Sequence, residues 1–124
     1  YLDEWTNRRI EIAKQYENYL SQSTVINPEV IKNGKHVYHL YVIRTENRNK
    51  LKELLKTRGI SSEIHYPKAL PFLKCYKHFK HKNSDFPIAS SYQYKILSIP
   101  IFPELTNEEI SYMSNNIIDL NWKF

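Results

Sequence analysis

Apolar residues along this chain fall into two rhythms, one helical and one extended, and the change-overs between them mark out the elements. Near the start, Leu2, Trp5, Ile12, Tyr16 and Tyr19 recur near helical spacing while Arg8, Arg9, Glu11, Lys14 and Glu17 fill the other sides. That spacing predicts a long amphipathic helix over residues 2–20. Turn formers follow at Ser23, Asn27-Pro28 and Asn33-Gly34, so residues 21–35 read as a loop with one extended stretch at 24–26. The run Val37-Tyr38-His39-Leu40-Tyr41-Val42-Ile43-Arg44 is rich in β-branched and aromatic residues and apolar on both faces. It predicts a central strand covered on both sides, with His39 as a satisfied core histidine. Asn47 is placed to cap a helix whose buried stripe is Leu51, Leu54 and Leu55, and Gly59 supplies the left-handed residue that stops it.

Residues 60–66 then alternate, with Ile60, Ser62, Ile64 and Tyr66 on one face and Ser61, Glu63 and His65 on the other. Pro67 closes this strand, because proline lacks the ladder donor and biases the residue before it towards an extended conformation. Pro87 suits the first turn of a helix with Ile88, Tyr92 and Ile96 on its inner face, running into a short strand at Leu97-Ser98-Ile99-Pro100. Thr106 and Glu109 form a capping box that opens the last helix, where Ile110, Met113, Ile117 and Leu120 share one face. The order is helix, strand, helix, strand, loop, helix, strand, helix. It predicts an α/β (α+β) fold class, with a short sheet packed with helices.

Composition narrows the functional classes. At 124 residues the chain makes one domain with a real core. It opens Tyr1-Leu2-Asp3 without methionine and already inside a helical pattern, so it is expected to be a fragment. The expected division is residues 1–22 as a helix linking to a missing N-terminal domain and residues 23–124 as a C-terminal small domain. No apolar run approaches the ~20 residues that span a bilayer, and the lone Cys75 rules out an intrachain disulfide; a cytoplasmic protein without a membrane partner is expected. The net charge of +5 favours anionic partners without choosing among them. With only Gly34 and Gly59, the chain has no glycine-rich phosphate loop. Cys75, His78 and His81 are spaced like part of a zinc site, but no matching second pair follows; a solvated basic loop or short helix without metal is expected.

From the residues alone, His65 reads as a half-exposed strand residue and Tyr66 as a core aromatic, and if the chain carries chemistry it is best placed at these two. Both stand at the end of a proline-stopped strand, a stiff mount, and between them they offer an imidazole and a phenol for proton transfer or hydrogen bonding.

Five stretches occur in an order and spacing that identify a family by resemblance. They are residues 36–44, Arg58-Gly59-Ile60, Ile64-His65-Tyr66-Pro67, Phe86-Pro87-Ile88-Ala89, and Leu97-Ser98-Ile99-Pro100-Ile101-Phe102-Pro103-Glu104-Leu105-Thr106. Together with the opening helix (Trp5, Arg8, Arg9, Ile12, Ala13, Tyr16), they resemble the C-terminal part of the DegT-type PLP-dependent sugar-nucleotide aminotransferases.

The resemblance implies the small domain of a fold-type I PLP enzyme. A larger N-terminal domain would carry PLP and the lysine that forms the Schiff base, leaving no catalytic lysine and no cofactor contact in this chain. His65 and Tyr66 would contact the bound sugar nucleotide, where amino transfer to a keto sugar needs oriented hydrogen-bond partners and a proton shuttle. The implied activity moves an amino group from an amino acid, glutamate being the expected donor, to a nucleotide-linked keto-deoxysugar for polysaccharide or amino-sugar biosynthesis. The full-length enzyme would be a homodimer that binds no nucleic acid. Lys68-Ala69-Leu70-Pro71 departs from the commoner family form, a proline followed by leucine and histidine, so only His65 and Tyr66 are carried over. Arg44 ends its strand as an anion contact or, more simply, in solvent.

Three other readings stay open at this stage. Within the family, a PMP-dependent sugar dehydratase has histidine in place of the Schiff-base lysine. Outside it, the positive charge and aromatic strand suit a basic module that binds RNA or single-stranded DNA, although the aromatics are not set beside a basic strand. The third reading is a regulatory or dimerisation domain with no site.

Overall fold

The structure is a computed structural model that describes residues 1–121 and, of these, the side chains of residues 1–119. In chain order the elements are α1 (Leu2–Leu20), β1 (Tyr41–Arg44), α2 (Arg48–Thr57), α3 (Pro87–Tyr92), β2 (Ile96–Ile99) and α4 (Asn107–Asn121). Between α2 and α3 lie three 3-10 turns, Leu70–Phe72, Lys74–Phe79 and Asn83–Asp85.

The bounds of α1 are those its apolar spacing predicts, but the stripe is not buried evenly. Ile12, Ala13, Tyr16 and Leu20 are buried, whereas Leu2, Trp5 and Tyr19 are exposed. The second half of the helix therefore packs on α4, and the first half runs past the core. Arg8 ties the helix there by donating from Nη2 to the Leu105 carbonyl at 2.8 Å. The capping box of α4 forms as expected: the Glu109 amide donates to Thr106 Oγ1 at 3.2 Å, and the Thr106 amide donates to Glu109 Oε2 at 2.9 Å. Ile110, Met113 and Ile117 are buried on the inner face; the Leu120 side chain lies outside the described residues.

β1 and β2 pair antiparallel, Tyr41 opposite Ile99 and Arg44 opposite Ile96. Single antiparallel bridges widen this ribbon on both edges, Ile26 against Arg44 and Glu63 against Ser98. Strand alternation sends Tyr41, Ile43, Leu97 and Ile99 into the core and Val42, Arg44, Ile96 and Ser98 to the other face.

The central strand predicted over residues 37–44 is half that length. Tyr38 is left-handed at φ 49, and its amide donates back to His36 Nδ1 at 2.9 Å, which breaks the extended run before Tyr41. His39 consequently lies exposed before the strand, not in the core as expected. Residues 60–66 make one bridge, at Glu63, and bend at His65 instead of forming a full strand. Ile60 and Ser62 are buried as the alternation predicts and Ile64 is half-buried, but Tyr66 is 73% exposed and leaves their face.

α2 buries Leu51 and Leu55 as expected. Asn47 holds its cap position, yet its side chain makes no capping hydrogen bond. The other end closes in a Schellman arrangement: Gly59 at φ 72 donates to Lys56, and the Ile60 amide reaches the Leu55 carbonyl at 3.0 Å. In α3, Pro87 takes the first turn, but Ile88 is exposed and Ile96 belongs to β2, so the expected inner face is not made. The helix is too short to carry a stripe. Arg44 neither ends in solvent nor stands free for an anion; its guanidinium lies 4.4 Å from the Tyr92 ring centre and donates to the Tyr92 hydroxyl.

Tyr16 and Tyr41 link α1 to the sheet, with ring centres 5.0 Å apart and the Tyr16 hydroxyl donating to the Pro100 carbonyl at 2.8 Å. Burial pushes both phenols well above their ordinary range, because the phenolate would lose its hydration. A raised folded-state pKa means that this contribution to stability is complete below the unfolded phenol value of about 10 and is lost as pH rises above it. Ultraviolet titration is expected to show two phenols that ionise only together with alkaline unfolding. Reversible titration of all ten tyrosines with the native circular dichroism intact would contradict this.

Candidate functional site

His65 and Tyr66 sit on a segment fastened at several points. At its start, the Ile60 amide bonds to Leu55 and the Ile60 side chain is buried, which ties the segment to α2. In its middle, Glu63 exchanges both backbone hydrogen bonds with Ser98, at 3.0 and 2.7 Å. Lys52 of α2 adds an ion pair to Glu63 Oε2 at 2.6 Å. Hydrogen bonding from Lys52 and its charge hold the Glu63 carboxyl below the usual carboxylate range, so this tie loosens only in acid.

His65 is half-buried, and its Nδ1 lies 2.9 Å from Ser98 Oγ. Ser98 is itself 5% exposed, so one residue of β2 clamps the segment through its backbone and orients the imidazole through its side chain. With Nδ1 engaged, Nε2 is the nitrogen left for other chemistry. The Tyr66 ring meets His65 edge-on at 5.6 Å, and the peptide bond between them is cis. Beyond Pro67, the Ala69 amide donates to Gln93 Oε1 at 2.9 Å, and the buried Gln93 donates in turn to the Ser90 carbonyl at 3.0 Å. The exposed phenol therefore projects from a short span pinned by Ser98 on one side and Gln93 on the other.

A groove of about 230 Å³ runs beside the imidazole, lined by His39, Ser62, His65, Ser98 and Pro100 among others. The two predicted residues, His65 and Tyr66, are thus together at the sheet edge. The groove also brings in His39, which had been expected in the core. Ser98, Gln93 and Lys52 went unassigned in the sequence. For Ser98 the signal was present: it is the one polar residue in Leu97-Ser98-Ile99, and a polar side chain buried in a strand needs a partner.

Cys75 and His78 lie on an exposed 3-10 turn, where His78 Nδ1 is 3.1 Å from the Cys75 carbonyl. Among the described residues, no group of His, Cys, Asp and Glu is placed to hold a metal ion. No helix among them is long and apolar enough to cross a membrane.

A short antiparallel sheet flanked by helices is the arrangement that this chain shares with part of solved sugar aminotransferases. The profile of the DegT/DnrJ/EryC1/StrS aminotransferase family matches residues 1–118, and the chain belongs to that family. It is 31% identical over 122 residues to a "Pleiotropic regulatory protein" of Geobacillus stearothermophilus, covering 96% of this chain and 33% of that one. It is 32% identical over 110 residues to the dTDP-3-amino-3,6-dideoxy-alpha-D-galactopyranose transaminase of Aneurinibacillus thermoaerophilus, covering 89% and 30%. In three dimensions it matches S. venezuelae DesV in complex with a ketimine intermediate, with a TM-score of 0.89 and 28% identity over 94% of this chain and 32% of that one. The chain spans about a third of the length of the curated relatives it matches.

Proposed function

We propose that this chain is the C-terminal small domain of a longer PLP-dependent aminotransferase. The whole protein transfers an amino group from an amino acid, glutamate as donor, to a nucleotide-linked keto-deoxysugar in polysaccharide or amino-sugar biosynthesis. The observation that carries this reading is the family match over residues 1–118 of a chain spanning a third of its relatives. The transaminase named for Aneurinibacillus thermoaerophilus supports the reaction class.

In this reading His65 and Tyr66 serve the sugar. The engaged Nδ1 of His65 fixes the ring, Nε2 holds or moves a proton at a sugar hydroxyl, and Tyr66 donates or accepts without charge. The first half of α1 is the link to the N-terminal domain, which covers Leu2 and Trp5; their exposure supports that role, while Ile12, Tyr16 and Leu20 of the same helix pack in the core of this domain. We assign the whole protein to the cytoplasm as a homodimer, acting on nucleotide sugars and not on nucleic acid.

In this reading the chain itself does not hold PLP. Every lysine among them is exposed except Lys52 and Lys95, which are half-buried and paired with Glu63 and Glu46. In this reading the cofactor belongs to the larger domain, and this chain is inactive alone. Incubation of the chain with PLP and desalting is expected to leave no stoichiometric absorbance; a borohydride-trapped adduct at one unique lysine would contradict it.

The test of the function itself uses the protein extended upstream, assayed with PLP, glutamate and nucleotide-linked keto sugars. Amino transfer supports the reading. Histidine at the Schiff-base position together with sugar dehydration would replace it with the dehydratase branch.

A further inference from the structure

The positive charge of this chain is concentrated in the 3-10 turns. Residues 68–82 hold Lys68, Lys74, Lys77, Lys80 and Lys82 with no Asp or Glu, while the other 13 Lys and Arg balance all 13 Asp and Glu elsewhere in the chain. None of these five takes part in the ion pairs found among the described residues, which are made by Arg8, Lys52 and Lys95. The first acid beyond them, Asp85, is engaged in its own turn, where it accepts from the Lys82 amide at 2.8 Å. Like charges gathered without counter-charges repel one another, so they work against the turns that carry them.

The same turns leave apolar groups in water. Leu70, Tyr76, Phe79 and Phe86 are exposed, Leu70 by 65% and Phe79 by 59%, and no residue of the three turns is buried. Within Lys74–Phe79 the two kinds of side chain are sorted. A 3-10 turn repeats every three residues, so Lys74 and Lys77 stand in one row and Tyr76 and Phe79 in the next. Lys80 extends the basic row: with Lys68, Lys74 and Lys77 it lines one depression of about 520 Å³, to which Phe72 and Tyr76 also contribute. Ring contacts from Tyr76 to Phe79 at 6.3 Å, Phe79 to His81 at 5.4 Å and His81 to Phe86 at 5.0 Å stiffen the turns as a unit. A basic row beside an aromatic row is the pattern of a segment that lies in a membrane interface, rings towards the acyl boundary and ammonium groups among the headgroups.

We propose that this face of residues 68–86 docks on an anionic lipid surface. Charge complementarity selects that occupant, because an anionic leaflet supplies the counter-charge the five lysines lack, and it covers the exposed rings in the same step. The expectation of no membrane partner rested on the lack of a spanning run, and surface docking needs none. A nucleic-acid strand is the poorer fit. Phe79 already carries the His78 and His81 rings at 4.1 and 5.4 Å, contacts that compete with base stacking, and exposed Leu70 has no ring to offer a base. Lys68 follows Tyr66 by two residues, so docking holds the His65–Tyr66 segment within ~7 Å of backbone from a lipid-bound lysine.

The test is sedimentation with vesicles of phosphatidylcholine alone and of phosphatidylcholine mixed with phosphatidylglycerol. It uses the protein extended upstream, with the 124-residue chain in parallel and circular dichroism confirming the fold of each variant. Both proteins are expected to sediment with the mixed vesicles and not with phosphatidylcholine. Lys74→Ala/Lys77→Ala is expected to weaken that binding about 25-fold, roughly fivefold for each lysine removed. Phe79→Ser is expected to weaken it about tenfold at unchanged charge. Leu70→Ser, which lies outside the ring contacts, is expected to act in the same direction.

Equal sedimentation with both kinds of vesicle, or binding indifferent to the lysine pair, would overturn the proposal. So would binding that neither Phe79→Ser nor Leu70→Ser weakens, since charge alone would then account for it. Single-stranded RNA that releases the protein from mixed vesicles, with a steep salt dependence of its own, would replace the lipid surface with a nucleic-acid one. Binding by the chain but not by the extended protein would show that the larger domain covers this face, and would overturn the proposal for the whole protein.

Discussion

His65→Asn in the extended protein is expected to slow amino transfer to the keto sugar by about 10²–10⁴-fold, the usual loss when a positioned proton shuttle is removed. PLP absorbance and the half-reaction with the amino donor are expected to stay largely intact, because His65 is assigned to the sugar and not to the cofactor. Tyr66→Phe removes one neutral hydrogen bond, about 0.5–1.5 kcal/mol, and its effect should be correspondingly smaller. Ser98 gives a companion test, since its Oγ lies 2.9 Å from His65 Nδ1 inside the buried strand β2. If that contact positions the ring, Ser98→Ala lowers kcat and shifts its pH profile, while Ser98→Thr, which keeps the hydroxyl, restores both. Single-turnover kinetics of each half-reaction decide the matter, with thermal melts as the control. An equal, small rise in KM for His65→Asn and Tyr66→Phe would mark uniform binding contacts. Unchanged sugar kinetics, or loss of fold in both, would remove the pair from the site.

What the sequence makes legible is what neighbouring residues decide among themselves. The bounds of α1, the Thr106–Glu109 box and the stop at Gly59 each rest on contacts within a few residues, and all three are as read. The short strand read from Leu97 was legible for the same reason, being apolar and stopped by Pro100, although Ile96, read into the helix before it, belongs to the strand. The failures are non-local or depend on one backbone angle. A left-handed Tyr38 shortens β1 and puts His39 outside, although its side chain is one that strands favour. Tyr66 leaves the face of Ile60, Ser62 and Ile64 because the bridge to β2 ends at Glu63, and nothing beyond it enforces the alternation. The partners that hold the site, Ser98 for His65 and Gln93 for Ala69, lie 33 and 24 residues away along the chain. No spacing rule reaches that far. His65 and Tyr66 could be named from a proline-stopped strand and a family resemblance, but their supports become visible only once the chain is folded.

Tyr16→Ala is expected to destabilise the chain by about 3–5 kcal/mol, the range for truncating a large buried aromatic. The expectation rests on position: Tyr16 is 0% exposed, packs on Tyr41 across the α1–sheet junction and bonds to the Pro100 carbonyl just beyond β2. Truncation leaves a cavity at the point where helix and sheet meet, and thermal melts should fall by roughly 10 °C or more. Tyr16→Phe separates the two contributions, since it keeps the ring and costs only about 1 kcal/mol for the lost hydrogen bond. Trp5, three turns earlier on the same helix, is 44% exposed and stacks on Tyr1 with ring centres 5.8 Å apart. Trp5→Ala in this chain is therefore expected to cost less than about 0.5 kcal/mol, as at ordinary surface positions. In the extended protein, where the proposed N-terminal domain covers the start of α1, the same change should cost clearly more. Equal destabilisation by Tyr16→Ala and Trp5→Ala in this chain would place the whole of α1 in the core of the small domain. A Trp5→Ala cost that does not grow in the extended protein would mean that the exposed half of α1 is not where the larger domain docks.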